Sequence, residues 1–202
     1  CSPETLLLKK GDLIKTKPIA GTLRKTKKIN HNKALAFFRR NEKETKEHNM
    51  IVDMERNDLS KICKTGSVKI DKLKTVEEYR DLFHYVTTIK GVLKNKITNH
   101  EIISSLMPGG SVIGCPKIST IQLLNQKEKS DRNIYTGSFG IIHSNGDMRF
   151  NIMIRTLLNF KNAIELSVAS GVILGSTAKK EYNENYIKAV SYTHLRAHET
   201  LR

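Results

Sequence analysis

The chain has 202 residues and carries 35 Lys and Arg against 20 Asp and Glu, a formal net charge of +15. This length suits one domain with a sizeable core, and no apolar run approaches the roughly 18 residues that a membrane span needs. Three cysteines without metal-ligand spacing argue against a disulfide framework, so we expect a cytoplasmic protein with no membrane partner.

The basic charge has two interpretations. A basic module that binds nucleic acid would gather its Lys and Arg on one face and carry a recognisable motif. Here the lysines are spread along the whole chain and no such motif accompanies them. We therefore expect a solvated basic surface and no nucleic-acid partner, with nucleic-acid binding as the alternative.

The first half of the chain predicts a hairpin, a long helical region and two strands. Residues 5–22 alternate short apolar runs around a Gly-Asp turn and end in a Pro-Ile-Ala-Gly-Thr loop, which is a hairpin signal. Residues from about 32 to 63 have apolar side chains at helical spacing and contain no Gly or Pro. Residues 66–73 and 82–93 are typical of strands.

The second half predicts two shorter helices, a meander and a last helix. Residues 99–107 form one helix, and another begins near Pro116. Residues 133–174 predict three antiparallel strands, in which the Asn-Gly turn at 145–146 is the strongest hairpin signal. The last helix begins near Thr177. Because strands and helices fall in blocks, the sequence predicts an α+β fold with largely antiparallel sheets.

Two pairs of glutamates share the same spacing. Glu44 and Glu47 lie three apart on a predicted helix, and so do Glu181 and Glu184, so each pair occupies one helical face. A single pair of this kind is usually a solvated face bound to nearby lysines. Two pairs that face each other would instead form an oxygen-rich Mg²⁺ site with positions left for an anionic substrate. The spacing leaves both interpretations open.

Several longer blocks occur together in one order: SPETLL, KPIAGT, KEHNMIVDMERNDLSKIC, MPGGSVIGCPK, IYTGSFG, FNIMIRTLL, VASGVILGS and EYNENYIKA. Together they resemble the catalytic domain of the chorismate-utilising enzymes over nearly all of residues 1–189. The resemblance implies two antiparallel β-sheets packed face to face with helices outside, in four layers. We expect residues 1–189 to be part of that domain with its N-terminal part missing. Residues 190–202 resemble a translated sequencing adapter, and we expect a non-native tail there.

The resemblance also implies a metal site and a substrate. Chorismate would bind with Mg²⁺ between the two glutamate-bearing helices. By position, Glu47 and Glu181 match the metal-binding glutamates, with Glu44 and Glu184 as their neighbours. The metal would neutralise a substrate carboxylate that four glutamates would otherwise repel.

Catalytic and substrate-binding residues follow from the same resemblance. Glu4 matches a glutamate that acts as general acid when the ring hydroxyl at carbon 4 departs, and such an acid needs a raised pKa. His84 matches a histidine beside the ring. Arg155 matches the arginine that grips a substrate carboxylate with its planar guanidinium. The other residues that match substrate contacts are Lys117, Tyr135, Ala169, Ser170, Gly171 and Lys188.

The block MPGGSVIGCPK resembles the aminating branch of the family. It implies Mg²⁺-dependent amination of chorismate to 4-amino-4-deoxychorismate, with ammonia from a glutamine amidotransferase subunit. Ala20 differs, because many such enzymes have at this position a lysine thought to attack the ring covalently. The absence of this lysine favours the alternative, anthranilate formation. We expect this stretch by itself to be inactive.

Overall fold

The computed structural model describes residues 2–79 and 82–193. The strands are β1 (Thr5–Lys10), β2 (Leu13–Lys17), β3 (Ile19–Arg24), β4 (Lys69–Glu78), β5 (Leu82–Val92), β6 (Ser138–Ile142), β7 (Met148–Ile152), β8 (Leu157–Phe160) and β9 (Ala163–Leu166). The helices are α1 (His31–Arg40), α2 (Glu42–Ile62), α3 (Asn99–Leu106), α4 (Gly110–Ile113), α5 (Lys117–Lys127) and α6 (Ala178–Thr193). Within these described ranges, no helix combines the length and apolar character that a membrane span requires.

Strand β5 organises a seven-stranded antiparallel sheet. It pairs with β4 on one edge and with both β2 and β3 on the other, and β1, β7 and β6 follow outward from β2. Pro18 separates β2 from β3 because proline has no N–H for the ladder. A second, two-stranded sheet contains β8 and β9. The predicted α+β class with antiparallel sheets is confirmed.

Helix α2 covers this sheet with one buried face. Its buried residues recur every three or four positions: His48, Ile51, Val52, Met54, Glu55, Asp58, Leu59 and Ile62. Val52, Leu59 and Ile62 join Leu7, Ile14 and Ile89 of the sheet in one core cluster. Burial of each large side chain contributes about 1.5–3 kcal/mol, so the face that α2 turns to the sheet is strongly specified.

The predicted helix over residues 32–63 is two helices. Asn41 interrupts it in an extended conformation, with φ −84° and ψ 99°. Its backbone N–H bonds to the carbonyl of Phe37, which ends α1, and its side chain accepts from the N–H of Glu44, which begins α2. Asparagine is a preferred N-cap, so the chain can turn here without leaving these backbone groups unsatisfied.

The first predicted hairpin is confirmed, with β1 and β2 joined through Gly11 at φ +53°. The loop expected after Pro18 is wrong, because residues 19–24 form β3 and pair with β5. The later prediction of a three-stranded meander is wrong as well. The Asn-Gly turn does join β6 to β7, but the second strand stops at Ile152, and Arg155 adopts a left-handed φ of +50°.

The predicted last helix is confirmed as α6, which runs from Ala178 to Thr193. It therefore extends into the stretch 190–202 that we expect to be non-native. Residues 194–202 lie outside the described part of the chain. The division at residue 190 stays a prediction.

Candidate active site

Glu4 lies immediately before β1 and is buried, with 3% of its surface exposed. Its Oε1 accepts a hydrogen bond of 3.2 Å from the backbone N–H of Ile19. Burial raises the pKa of Glu4 from 4.5 to about 7, although the Ser111 hydroxyl, the Ile19 N–H and the charge of Arg155 act against it. Near neutral pH this carboxyl is therefore protonated in a large share of molecules, as a general acid requires.

His84 lies on β5 and is fully buried. Its Nε2 is 3.2 Å from Nη1 of Arg155, and its Nδ1 is 3.2 Å from Oγ1 of Thr22. A guanidinium only donates hydrogen bonds, so Nε2 accepts and the ring proton is assigned to Nδ1. Burial and the charge of Arg155 lower the pKa of His84 to about 4, so the ring is neutral at pH 7. A neutral His84 orients Arg155 and adds no charge.

Arg155 follows β7 where the strand ends. Its φ of +50° lies in the left-handed region, which is costly for a residue with a side chain and is found at functional sites. Its Nη2 donates to Oγ1 of Thr22 at 3.0 Å, while Nη1 meets His84. Because its charge also acts on Glu4, the structure brings three predicted residues together: Glu4, His84 and Arg155. We call this set the acid cluster.

The two glutamate pairs also come together. Glu44 and Glu47 lie on the first turns of α2, and Glu181 and Glu184 lie on α6. Burial and then the charges of Glu44 and Glu184 raise the pKa of Glu47 to about 7, although the charges of Lys43 and Lys188 act against this shift. Burial and the charge of Glu184 also raise the pKa of Glu44. The face-to-face arrangement that spacing left open is therefore present, and we call it the glutamate cluster.

Two lysines form ion pairs with the glutamate cluster. Lys43 Nζ is 2.6 Å from Oε1 of Glu181, and Lys188 Nζ is 2.7 Å from Oε1 of Glu184. Burial alone would raise the pKa of Glu181, but the hydrogen bond and charge of Lys43 keep it below its ordinary value. Among the described residues, no three His, Cys, Asp or Glu side chains lie close enough together to form a metal cage.

The donor chemistry of the glutamate cluster nevertheless fits Mg²⁺. Oε2 of Glu181 is buried and has no hydrogen-bond partner of good geometry among the described residues. A Cβ at Gly171 would lie 2.5 Å from Oε1 of Glu47, so the absence of a side chain there leaves room at that carboxylate. Like charges also disfavour ionisation of Glu44 and Glu47. Hard oxygen donors with excess negative charge suit this cation.

The turn over residues 169–171 lies between these two helices. The carbonyl of Ala169 accepts from Nζ of Lys188 at 3.0 Å, and Oγ of Ser170 donates to the carbonyl of Glu181 at 3.4 Å. With Gly171 beside Glu47, the predicted residues of this turn and Lys188 all border the glutamate cluster.

Lys117 and Tyr135 belong to neither cluster. Lys117 is ion-paired with Asp58 and donates to the carbonyl of Leu106 at 3.3 Å. Tyr135 is half-buried in a small cavity that Met153 and Thr156 also line, and burial raises its pKa. Their predicted contacts with substrate stay predictions.

Sequence reasoning missed Glu55 of α2. Only 5% of its surface is exposed. Burial raises its pKa to about 8; the Thr16 hydroxyl acts against this shift, whereas the charge of Glu4 adds to it. The available signal was its position: Glu55 falls on the buried helical face that also holds Ile51 and Ile62, where a carboxylate is costly.

Known proteins share this chain's sequence and fold. The profile of the family described as chorismate binding enzyme matches residues 1–194. The chain is 39% identical over 189 residues to aminodeoxychorismate synthase component 1 of Bacillus subtilis, covering 93% of this chain and 40% of that protein. It is 37% identical over 188 residues to an anthranilate synthase component 1 of Haloarcula marismortui, covering 93% of this chain and 38% of that protein.

Solved structures agree with these relatives. Anthranilate synthase component I from Streptococcus pneumoniae matches with a TM-score of 0.77 and 35% identity, covering 93% of this chain and 41% of that one. The chain thus spans about two fifths of the length of these proteins. From the matched profile, the relatives and the shared fold, we conclude that the chain belongs to the chorismate binding enzyme family.

Proposed function

We propose that the full-length protein carrying this chain is a Mg²⁺-dependent synthase component I that aminates chorismate to 4-amino-4-deoxychorismate. The observation that carries this proposal is the acid cluster, in which a buried carboxyl with a pKa of about 7 lies within the field of an arginine held by His84 and Thr22. The similarity to an aminodeoxychorismate synthase supports carbon 4 as the site of amination.

In this proposal Arg155 binds one carboxylate of chorismate through its guanidinium. Glu4 then donates its proton to the hydroxyl oxygen at carbon 4. The carbon–oxygen bond breaks, its electron pair stays with the oxygen, and water leaves. The lone pair of ammonia forms the new carbon–nitrogen bond, and the nitrogen then loses a proton. A proton must return to Glu4 before the next turnover.

The glutamate cluster would hold the metal through Glu47 and Glu181, with Glu44 and Glu184 beside them. Mg²⁺ bound there would supply positive charge for the second carboxylate of the substrate. The ion pair of Lys43 with Glu181 keeps one of these carboxylates oriented. The turn at Gly171 places no side chain against Oε1 of Glu47.

Ala20 favours a second candidate, anthranilate synthase component I. Ala20 lies on β3 with 3% of its surface exposed, next to Ile19, whose N–H binds Glu4. No amine is available there to attack the ring, so the nucleophile would be free ammonia from a glutamine amidotransferase subunit, and attack at carbon 2 is open to it. Relatives named for each activity match the chain.

A product assay on the full-length protein decides between these candidates. Chorismate, Mg²⁺ and an ammonium salt at alkaline pH replace glutamine and the partner subunit, and chromatography with mass detection identifies the product. We expect 4-amino-4-deoxychorismate, and no covalent adduct at Ala20 after borohydride trapping. Fluorescent anthranilate formed without a lyase would promote the second candidate. Isochorismate as the product, or no turnover, would contradict both.

A further inference from the structure

Thr22 lies on β3 opposite His84 of β5, and an irregular register puts it there. Ile19 pairs with Val86 and Thr22 pairs with His84, so three positions along β3 correspond to two positions along β5. Gly21 lies in this interval at φ +90°, a backbone conformation that glycine adopts readily in a β-bulge. Because side chains alternate between the two faces of a sheet, the extra residue moves Thr22 onto the face that carries His84.

The bulge brings the hydroxyl of Thr22 to the acid cluster. A regular register from Ile19 onward would place Thr22 opposite Phe83, which is fully buried in the core. In the observed register, Oγ1 of Thr22 is 3.2 Å from Nδ1 of His84 and 3.0 Å from Nη2 of Arg155. Bulges that re-aim a side chain in this way are common beside active sites.

Neither of these two neighbours can accept the hydroxyl hydrogen of Thr22. Arg155 only donates, so Oγ1 accepts from its Nη2. Nε2 of His84 accepts from Nη1 of Arg155, so the neutral ring carries its proton on Nδ1 and cannot accept from Thr22 there. Thr22 is exposed, so its hydroxyl hydrogen is available to water or to a bound ligand.

We propose that Thr22 is a substrate-binding residue whose hydroxyl donates a hydrogen bond to the chorismate carboxylate that Arg155 binds. The hydroxyl oxygen lies 3.0 Å from a nitrogen of the guanidinium, so a carboxylate held by Arg155 comes within its reach. A hydrogen bond to an ionised carboxylate is stronger than the bond to water that it replaces. The choice of ligand rests on the proposed function, whereas the bulge and the hydrogen-bond geometry do not.

Calorimetric titration of the full-length protein with chorismate, in Mg²⁺ and without ammonia, tests this contact. We expect Thr22→Val, which keeps the shape and removes the hydroxyl, to weaken chorismate binding by about tenfold or more. Thr22→Ser retains the hydroxyl and should bind within about threefold of wild type. Thr75→Val on β4 is the matched control, because the hydroxyl it removes donates to the carbonyl of Val86 and lies outside the acid cluster. Its affinity should equal that of wild type.

The ¹⁵N resonances of the His84 ring distinguish direct binding from an effect through Arg155. We expect the Nε2 resonance in Thr22→Val to stay close to that of wild type, since Arg155 still donates to this nitrogen. A displaced Nε2 resonance together with weakened binding would overturn the proposal, because Thr22 would then act by positioning Arg155. Unchanged affinity in Thr22→Val, or an equal loss in Thr22→Ser, would also overturn it. Thr22→Ala removes the same hydroxyl and decides the matter if the valine variant does not fold.

Because ammonia is left out, chorismate binding is measured independently of amination. Wild-type protein that binds chorismate, loses affinity in Thr22→Val and forms no amino product when ammonia is added would support the contact and contradict only the proposed function. Wild-type protein that does not bind chorismate would contradict both.

Discussion

The acid cluster and the glutamate cluster each contain a glutamate with a pKa of about 7, Glu4 and Glu47. Burial is the largest cause in both. The neighbours differ: a hydroxyl, a backbone N–H and an arginine all lower the pKa of Glu4, whereas the charges of Glu44 and Glu184 raise that of Glu47. A cation should therefore remove much of the shift at Glu47 and little of the shift at Glu4.

The two clusters therefore raise the pKa of a carboxyl to about 7 in different ways. In the acid cluster, burial raises the pKa of Glu4 and the neighbouring groups act against it. In the glutamate cluster, mutual repulsion adds to burial, and the lysines offset only part of it. The first arrangement suits proton donation, and the second suits capture of a divalent cation.

The largest effect is expected from substitutions in the glutamate cluster. Glu47→Gln and Glu181→Gln should each reduce Mg²⁺-dependent chorismate turnover by about 10²-fold or more, because the amide keeps the size but loses the charge that binds the metal. Mg²⁺ binding measured by calorimetry should weaken in parallel. Glu42→Gln lies on the same helix at an exposed position and should behave as wild type. Near-normal turnover of either site variant at millimolar Mg²⁺ would show that the substituted glutamate does not bind the metal.

The next effect concerns the acid cluster. Arg155→Lys keeps the positive charge but cannot contact His84 and Thr22 through two nitrogens at once, so KM for chorismate should rise by about 10- to 100-fold. Steady-state kinetics at saturating Mg²⁺ measure this KM. Arg149→Lys, an exposed position on β7, is the matched control. An unchanged KM in Arg155→Lys would show that Arg155 does not bind the substrate carboxylate.

The pH dependence of the free energy of unfolding distinguishes the effect of the buried carboxyls from that of the metal site. The pKa values of Glu4 and Glu55 are raised from 4.5 to about 7 and about 8, so the stability from their protonated forms is full below pH 4.5 and is lost as pH rises through those values. His48 and His84 have pKa values lowered from 6.5 to about 4, so their contribution is lost on acidification, between pH 6.5 and 4. Above pH 6.5 only the carboxyl effect continues.

We therefore expect the free energy of unfolding to fall by roughly 2 kcal/mol between pH 6.5 and 8. Urea unfolding in excess Mg²⁺ measures this fall with the contribution of Glu47 suppressed. Glu55→Gln should remove about half of it or more. A fall of the same size in that variant would show that Glu55 already ionises in the folded protein at pH 6.5.

The smallest effect is expected from a substitution that fills the space beside the glutamate cluster. The Cβ of Gly171→Ala would come within 2.5 Å of Oε1 of Glu47, and the flexible carboxylate can move away. Mg²⁺ affinity should fall by about tenfold, with little change in thermal stability. Calorimetric titration measures the Mg²⁺ affinity, and thermal melting measures the stability. A large loss of stability with unchanged affinity would mean that Gly171 serves the fold alone.

Sequence patterns predicted the parts of this molecule that depend on local chemistry. The Gly11 turn, the Asn-Gly turn and the start of α6 follow from residue type and spacing. The glutamate pairs were visible for the same reason, since a spacing of three defines a helical face. The residue blocks of a known family then implied the roles that we expect for them.

What could not be predicted depends on contacts between distant segments. The pKa of Glu4 depends on burial by elements far along the chain and on Arg155. Glu55 looked like one more charge on a basic chain until α2 was packed against the sheet. The break after Ile152 was hidden because an alternating strand pattern continues through Arg155, and only tertiary packing determines the left-handed backbone there.

The bond from the Ile19 N–H to Glu4 has a further consequence. It joins the carboxyl directly to the backbone of β3, whose Ile19 pairs with Val86 of β5. A carboxylate accepts a stronger hydrogen bond than a carboxylic acid does. Relative to a free amide at the same pH, the Ile19 amide should therefore be better protected against exchange with solvent deuterium once Glu4 has lost its proton. One amide in the sheet can thus be used to follow the charge of the acid without any label on its side chain.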